Sequence, residues 1–177
     1  MKTERKSFRF LFFSIALLKT LAYYFVTRWE KVVKTFFGKF KRSLDTKGRL
    51  LIPAKLLPQG EKCLYVLRGF DGCLSVYDEK SFEKLMIELQ SMDYRNEEQR
   101  AYVRLAASSV NEMNIDSHGR ILLGRQILDE YGISQDVTII GAIDHFEIWD
   151  SAAFAKYLIV HGSAFDQLGS SSKGNRS

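Results

Sequence analysis

Residues 44–57 read Leu-Asp-Thr-Lys-Gly-Arg-Leu-Leu-Ile-Pro-Ala-Lys-Leu-Leu, and residues 115–128 read Ile-Asp-Ser-His-Gly-Arg-Ile-Leu-Leu-Gly-Arg-Gln-Ile-Leu. The second stretch is the first again, 71 positions further on. Self-similarity at a fixed offset means that one structural unit is written twice. Two strand-like runs follow each copy, Leu64 to Leu67 with Cys73 to Tyr77 in the first, and Val137 to Ile140 with Phe146 to Trp149 in the second. Each pair straddles an aspartate turn, at Asp71 and Asp144, and closes on an aromatic and an acid, Tyr77-Asp78 and Trp149-Asp150. Asp78 and Asp150 are suited to cap helices that carry Phe82 and Phe154. Pro53 fits the first turn of a short helix running through Leu57. Residues 94–107 are rich in helix formers and read as a connecting helix.

These elements predict an α+β, strand-rich chain. Residues 36–83 form repeat one, 84–109 the connecting helices and 110–158 repeat two. Residues 159–177, with their Gly, Ser and Lys, form a flexible tail. Each unit has too few strands to close a barrel alone. Two units that interdigitate would share one core in a pseudo-twofold, barrel-like arrangement with helices around it.

The chain has 177 residues, room for one full-sized domain or two small ones, and at 46% hydrophobic it can bury a core. Cys63 and Cys73 are too few for a disulfide framework. A hairpin turning at Phe70-Asp71-Gly72 would set Cys73 opposite Arg68 rather than Cys63, so two packed, reduced thiols are expected, as in a reducing compartment. The formal net charge is +5, but residues 1–35 carry a net of +6 and the remaining 142 residues a net of −1. Bulk charge therefore does not mark the folded part as a nucleic-acid binder. A local excess remains: Lys39, Lys41, Arg42, Lys47 and Arg49 stand against Asp45 alone.

Residues 1–35 are an N-terminal extension of different character. The apolar run 10–26 follows Lys2, Arg5, Lys6 and Arg9, which suits a signal peptide or membrane anchor. Yet it is 17 residues long with Lys19 near its middle, where a span wants about 20 apolar residues and a central lysine costs about 2.5–3.5 kcal/mol. No small-x-small cleavage site follows it; Tyr23-Tyr24-Phe25 is bulky. The composition changes abruptly near Val32-Val33-Lys34, and valine at 32 or 33 would suit an alternative start. A mis-set start, an anchor and a cleaved signal all stand as readings, and contact with a membrane follows only from the second.

The duplicated motif is Asp-x-x-Gly-Arg, at Asp45 to Arg49 and Asp116 to Arg120. Its aspartate can accept backbone N–H bonds two or three residues on and close the turn. Gly48 and Gly119 supply a positive φ. Arg49 and Arg120, each placed between the turn and an apolar strand, present a five-donor fork that suits a guanine edge or a pair of phosphate oxygens. A single such motif is more simply a stapled hairpin. Two copies at equivalent places in a repeat are what a symmetric reader of a groove would use, with Asp orienting the Arg that meets DNA. Loop one has Lys41, Arg42 and Lys47 nearby; loop two has His118 and Arg125, opposed by Glu112. Loop one is therefore expected to contribute more electrostatic affinity.

Phe37-Gly38-Lys39-Phe40, Leu44-Asp45-Thr46-Lys47-Gly48-Arg49-Leu50 and Ile52-Pro53-Ala54-Lys55 resemble the opening of the MraZ family. Arg68-Gly69-Phe70-Asp71-Gly72-Cys73-Leu74, the second Asp-x-x-Gly-Arg and Phe146-Glu147-Ile148-Trp149-Asp150 match in order. The resemblance runs from about Phe36 to about Leu158. It implies two AbrB/SpoVT-like swapped-hairpin halves forming a double-psi-like barrel, in ring-shaped homo-oligomers. It also implies a cytoplasmic, nucleoid-associated transcription regulator, read here as a repressor. Its expected partner is double-stranded DNA, at short direct repeats in its own promoter ahead of the division and cell-wall genes. The family's Asp–Arg pairs fall on Asp45 with Arg49 and on Asp116 with Arg120. Gly124 in repeat two departs from Pro53 in repeat one.

No cofactor and no catalysis are expected. His118, His145 and His161 are not at metal-ligand spacing with the cysteines, and Gly-Arg-Gln-Ile at 124–127 lacks the spacing of a phosphate loop. Two other binding classes compete. One is an antitoxin-like AbrB protein, which would have one half and a long toxin-binding tail. The other is a membrane-tethered structural ring without a DNA role.

Overall fold

The computed structural model describes residues 35–57, 60–165 and 167. The extension with its three readings, and most of the expected tail, lie outside the described residues. Of that tail, residues 159–161 complete a helix and Gly162–Ala164 add one 3-10 turn.

Repeat one supplies β1 (Lys39–Ser43), β2 (Arg49–Leu51), β3 (Cys63–Arg68), β4 (Leu74–Tyr77) and α1 (Glu79–Gln90). Then come α2 (Glu97–Ser108), β5 (Asn111–Asn114), β6 (Arg120–Leu122), α3 (Arg125–Glu130), β7 (Asp136–Gly141), β8 (Phe146–Asp150) and α4 (Ser151–His161). The helix starts follow from their caps. Asp78 accepts from the N–H of Ser81, Asn96 from Gln99, and Asp150 from Ala152 and Ala153, satisfying N–H groups that a helix leaves open at its first turn.

The strands form a six-stranded antiparallel sheet in the order β1-β7-β8-β4-β3-β5, and a separate two-stranded ribbon, β2-β6. The repeats are interleaved. β1 of repeat one pairs with β7 of repeat two, and β5 of repeat two pairs with β3 of repeat one. β4 meets β8 at the middle. The sheet is open, β1 and β5 having one partner each. In the ribbon Leu50 lies opposite Ile121, its own equivalent 71 positions on, so the pseudo-twofold passes through this pair.

One core serves both repeats. Cross-strand rows Phe40–Ile139–Ile148–Leu74 and Val66–Val76–Phe146 line the sheet's inner face, and Leu50, Ile52, Ile121 and Leu123 complete the same cluster from the ribbon side. Leu50 and Ile121 are fully buried, and truncating either to Ala would cost about 2–5 kcal/mol. On the other face, α4 places Phe154 and Tyr157 against Trp149 and Cys73. Phe82 of α1 stacks on Tyr65 of β3 with ring centres 4.0 Å apart.

Two local expectations are corrected. After Pro53 the chain makes a single turn, its carbonyl accepting from the N–H groups of Leu56 and Leu57, rather than a helix through Leu57. Leu57 precedes Pro58, which disfavours further α conformation there. The equivalent stretch of repeat two, with no proline, forms α3. In the first hairpin Leu74, not Cys73, faces Arg68. Asp71 and Gly72, at φ 56° and 88°, make a two-residue turn between Phe70 and Cys73. Both cysteines are free thiols. No helix among the described residues is long and apolar enough to cross a membrane.

Candidate nucleic-acid interface

The two Asp-x-x-Gly-Arg loops are built by the same bonds. In loop one Asp45 donates its N–H to the Arg49 carbonyl at 3.0 Å, and its own carbonyl accepts from Gly48 at 2.9 Å. Its Oδ1 accepts from the N–H groups of Lys47 and Arg49, both at 2.9 Å, and its Oδ2 from Arg49 Nε at 2.6 Å. In loop two Asp116 Oδ1 accepts from His118 at 2.8 Å and Arg120 at 3.0 Å, and Oδ2 from Arg120 Nε at 2.7 Å. The carboxylate thus reaches backbone two and four residues on, closing the turn and gripping the guanidinium in one stroke. The backbone N–H of the following arginine is the largest influence on each carboxyl; burial opposes it and the arginine side chain assists. Both acids are held at about 2, so they stay charged at neutral pH.

The grip leaves the arginines available. Each spends Nε–H on its aspartate, and the four Nη–H donors of each make no hydrogen bond among the described residues. Arg49 and Arg120 are about one-third and one-quarter exposed. A guanidinium fixed at Nε with its outer edge in solvent is preoriented for a bidentate acceptor.

The ribbon sets where they point. Arg49 pairs with Leu122 and Leu51 with Arg120, and residues opposite one another share a face. Leu50 and Ile121 turn inward to the core. The outward face therefore carries two arginines on one diagonal and two leucines on the other, with Leu51 45% and Leu122 53% exposed.

Each loop leans on the other repeat. The Gly48 carbonyl accepts from Leu123 at 3.0 Å, and that of Gly119 from Ile52 at 3.1 Å. Both glycines have positive φ, 78° and 76°. A Cβ on Gly48 would lie 2.8 Å from the Leu123 carbonyl oxygen, and one on Gly119 3.2 Å from Leu57 Cδ2. This crossing moves one residue from where the sequence assigns it. Arg125, expected beside loop two, lines with Lys47 a cleft of about 380 Å³ at loop one, to which Asp129 also contributes. The residue 71 positions before Arg125 is Ala54, so the equivalent position brings loop two no cation.

The other expected contacts divide. Lys47 and His118 are exposed at equivalent places, His118 Nδ1 lying 3.2 Å from Ser117 Oγ. Lys41 is exposed on β1. Arg42, its neighbour on a strand, faces the opposite side; it is half-buried, donates Nη1 to the Lys41 carbonyl at 2.9 Å, and has a buried Nε without a partner among the described residues. Lys41 and Arg42 therefore do not form one patch. The sequence reading passed over Leu51 and Leu122. A period of two through Arg49-Leu50-Leu51 was the available signal, masked because every residue after the arginine is apolar.

Comparison with known proteins agrees with the repeat. The model of the MraZ protein family, whose description adds an antitoxin-like label, matches residues 35–105 and again 107–167. A protein of Corynebacterium jeikeium named transcriptional regulator MraZ is 37% identical over 130 residues, 73% of this chain and 91% of its own. One of the same name from Limosilactobacillus fermentum is 35% identical over 133 residues, 75% of this chain and 93% of its own. That of Cytophaga hutchinsonii is 31% identical over 137 residues, with 75% and 91% covered. With two successive matches to the family model and relatives covered over nine-tenths of their length, this chain belongs to the MraZ family.

Proposed function

We propose that this protein is a sequence-specific DNA-binding transcription regulator whose reading head is the β2–β6 ribbon with its two Asp-x-x-Gly-Arg loops. The observation that carries this reading is the pair of arginines on one outward face, each held at Nε by its own aspartate and each keeping its outer donors uncommitted. Arginine in that state suits guanine O6 and N7 in the major groove, which admits a two-stranded ribbon. Lys47, and Arg125 beside it, meet phosphates and set register; Lys41, Arg42 and His118 contribute at the margins. The names of the relatives support regulation of transcription.

The finer reading follows the family. The interleaved halves are AbrB/SpoVT-like swapped hairpins around a double-psi-like barrel. The protein works in the cytoplasm at the nucleoid, represses the division and cell-wall genes from short direct repeats in its own promoter, and has no catalytic role. Copies assembled in a ring would bring several ribbons to successive repeats, so modest affinities sum through effective concentration. The antitoxin-like label of the family model favours a second reading, in which the same barrel blocks a partner protein.

Fluorescence-anisotropy titration against a duplex from the protein's own promoter, beside a shuffled duplex and at two salt concentrations, tests the proposal. Tight binding is expected that both the shuffle and the Arg49→Ala, Arg120→Ala double variant lose. Equal or absent binding in all three would move the function to a protein partner.

A further inference from the structure

Among the described residues, the exposed strand positions are Lys39, Lys41, Ser43, Arg68, Asn111, Glu112, Asn114 and Asp136, all polar, together with Leu51 and Leu122. The two leucines break the rule as a pair, at equivalent sites in the repeat, on the face that carries Arg49 and Arg120. The core does not account for them, because Leu50 and Ile121 already fill the ribbon's inner side. An isolated exposed leucine is ordinary. A symmetric pair set between two free guanidinium edges is a mixed surface that matches a groove floor, which offers acceptors for arginine and the thymine C5 methyl for an apolar side chain.

We infer that Leu51 and Leu122 are specificity-determining residues that contact thymine methyl groups beside the bases read by Arg49 and Arg120. This rests on the ribbon being the DNA-contacting face. The spacing fits. Arg49 and Leu51 are two residues apart along β2, about 6.8 Å at a rise of about 3.4 Å per residue, or about two base steps at about 3.4 Å each. A ribbon lying along the groove thus sets each leucine about two base pairs from the arginine of its own strand and next to that of the other. The pseudo-twofold makes two such contacts, one per half of the site.

The test uses the full chain and a duplex that the wild-type protein enriches from a random-sequence library. Each thymine is replaced in turn by deoxyuridine, which removes only the C5 methyl, and each guanine by 7-deazaguanine. Wild-type binding is expected to weaken about fourfold, the worth of burying one methyl-sized group, at one or two thymines within about two base pairs of a sensitive guanine. Leu51→Ala and Leu122→Ala should each abolish one of those sensitivities while the guanine sensitivity persists. The Arg49→Ala, Arg120→Ala variant should lose the duplex altogether, which tests the underlying reading separately. Equal wild-type affinity for thymine and deoxyuridine at every position, with the arginine variant still inactive, would overturn the leucine assignment and leave the arginines in place. Leucine variants that keep the deoxyuridine effect but lose self-association in sedimentation would also overturn it, assigning these residues to a second copy of the chain. A library that enriches no duplex would overturn both.

Discussion

In loop one the Asp45 carboxylate takes Arg49 Nε at 2.6 Å; in loop two Asp116 takes Arg120 Nε at 2.7 Å, and both acids titrate near 2. Around these equal cores the settings diverge. Loop one carries Lys47 and borrows Arg125 from the other repeat, while loop two carries His118; the equivalent leucines Leu128 and Leu57 stand against Gly48 and Gly119 alike. Gly48 abuts a backbone carbonyl and Gly119 a flexible methyl group. The duplication has kept what positions the arginine and let drift what surrounds it, as expected if the two heads make the same base contact with unequal help from phosphates.

The largest difference should appear in stability. Gly48→Ala places a side chain at positive φ against an oxygen that cannot move away, and is expected to cost about 2–4 kcal/mol. Gly119→Ala has only a leucine methyl to displace and should cost about 1–2 kcal/mol. Urea unfolding of both variants measures this, and equal costs would break the contrast. In binding, Arg49→Ala and Arg120→Ala should each cost about 1–3 kcal/mol against the enriched duplex; an unaffected Arg120→Ala would leave loop one as the sole reader.

Smaller effects separate the flanks. Lys47→Ala should weaken all sequences alike and flatten the logarithmic salt dependence by about 0.9, one phosphate contact. His118→Ala should change that slope less than Lys47→Ala does. The aspartates give a pH signature common to both loops. Their folded pKa lies below the ordinary value of 3.8, so the stability they add is complete above that value and disappears as pH falls toward about 2. Wild type should therefore exceed Asp45→Asn and Asp116→Asn in unfolding free energy at pH 6, with both gaps closing together between about pH 4 and pH 2. Gaps that closed at different pH would show that the two grips are not equivalent.

Much of this was legible in the residues. The 71-residue repeat, the hairpins and the Asp78 and Asp150 caps are local patterns, and local hydrogen bonding enforces them. The Asp–Arg grip could be read as a pairing, though its reach to the fourth residue could not. That the two units interdigitate around one core was legible as well; which strands they exchange was not. Nothing local says that β1 should leave its own repeat for β7; the shared core decides, because each repeat alone exposes one face of its strands. Arg125 lines a cleft with Lys47 of the other repeat, a neighbour that sequence spacing alone does not give. Leu51 and Leu122 were hidden by composition, an apolar residue in an apolar run giving no sign of which face it takes.

In the proposed reading head a carboxylate-fixed guanidinium fork, and not positive charge alone, reads the sequence. The Arg49→Lys, Arg120→Lys double variant tests it most directly, because lysine keeps the charge and loses the planar fork. The ratio of affinities for the promoter duplex and its shuffle, measured at two salt concentrations, should fall at least tenfold while the salt slope on shuffled DNA holds. A lysine variant that discriminates as well as wild type would contradict the account and reduce both loops to phosphate contacts.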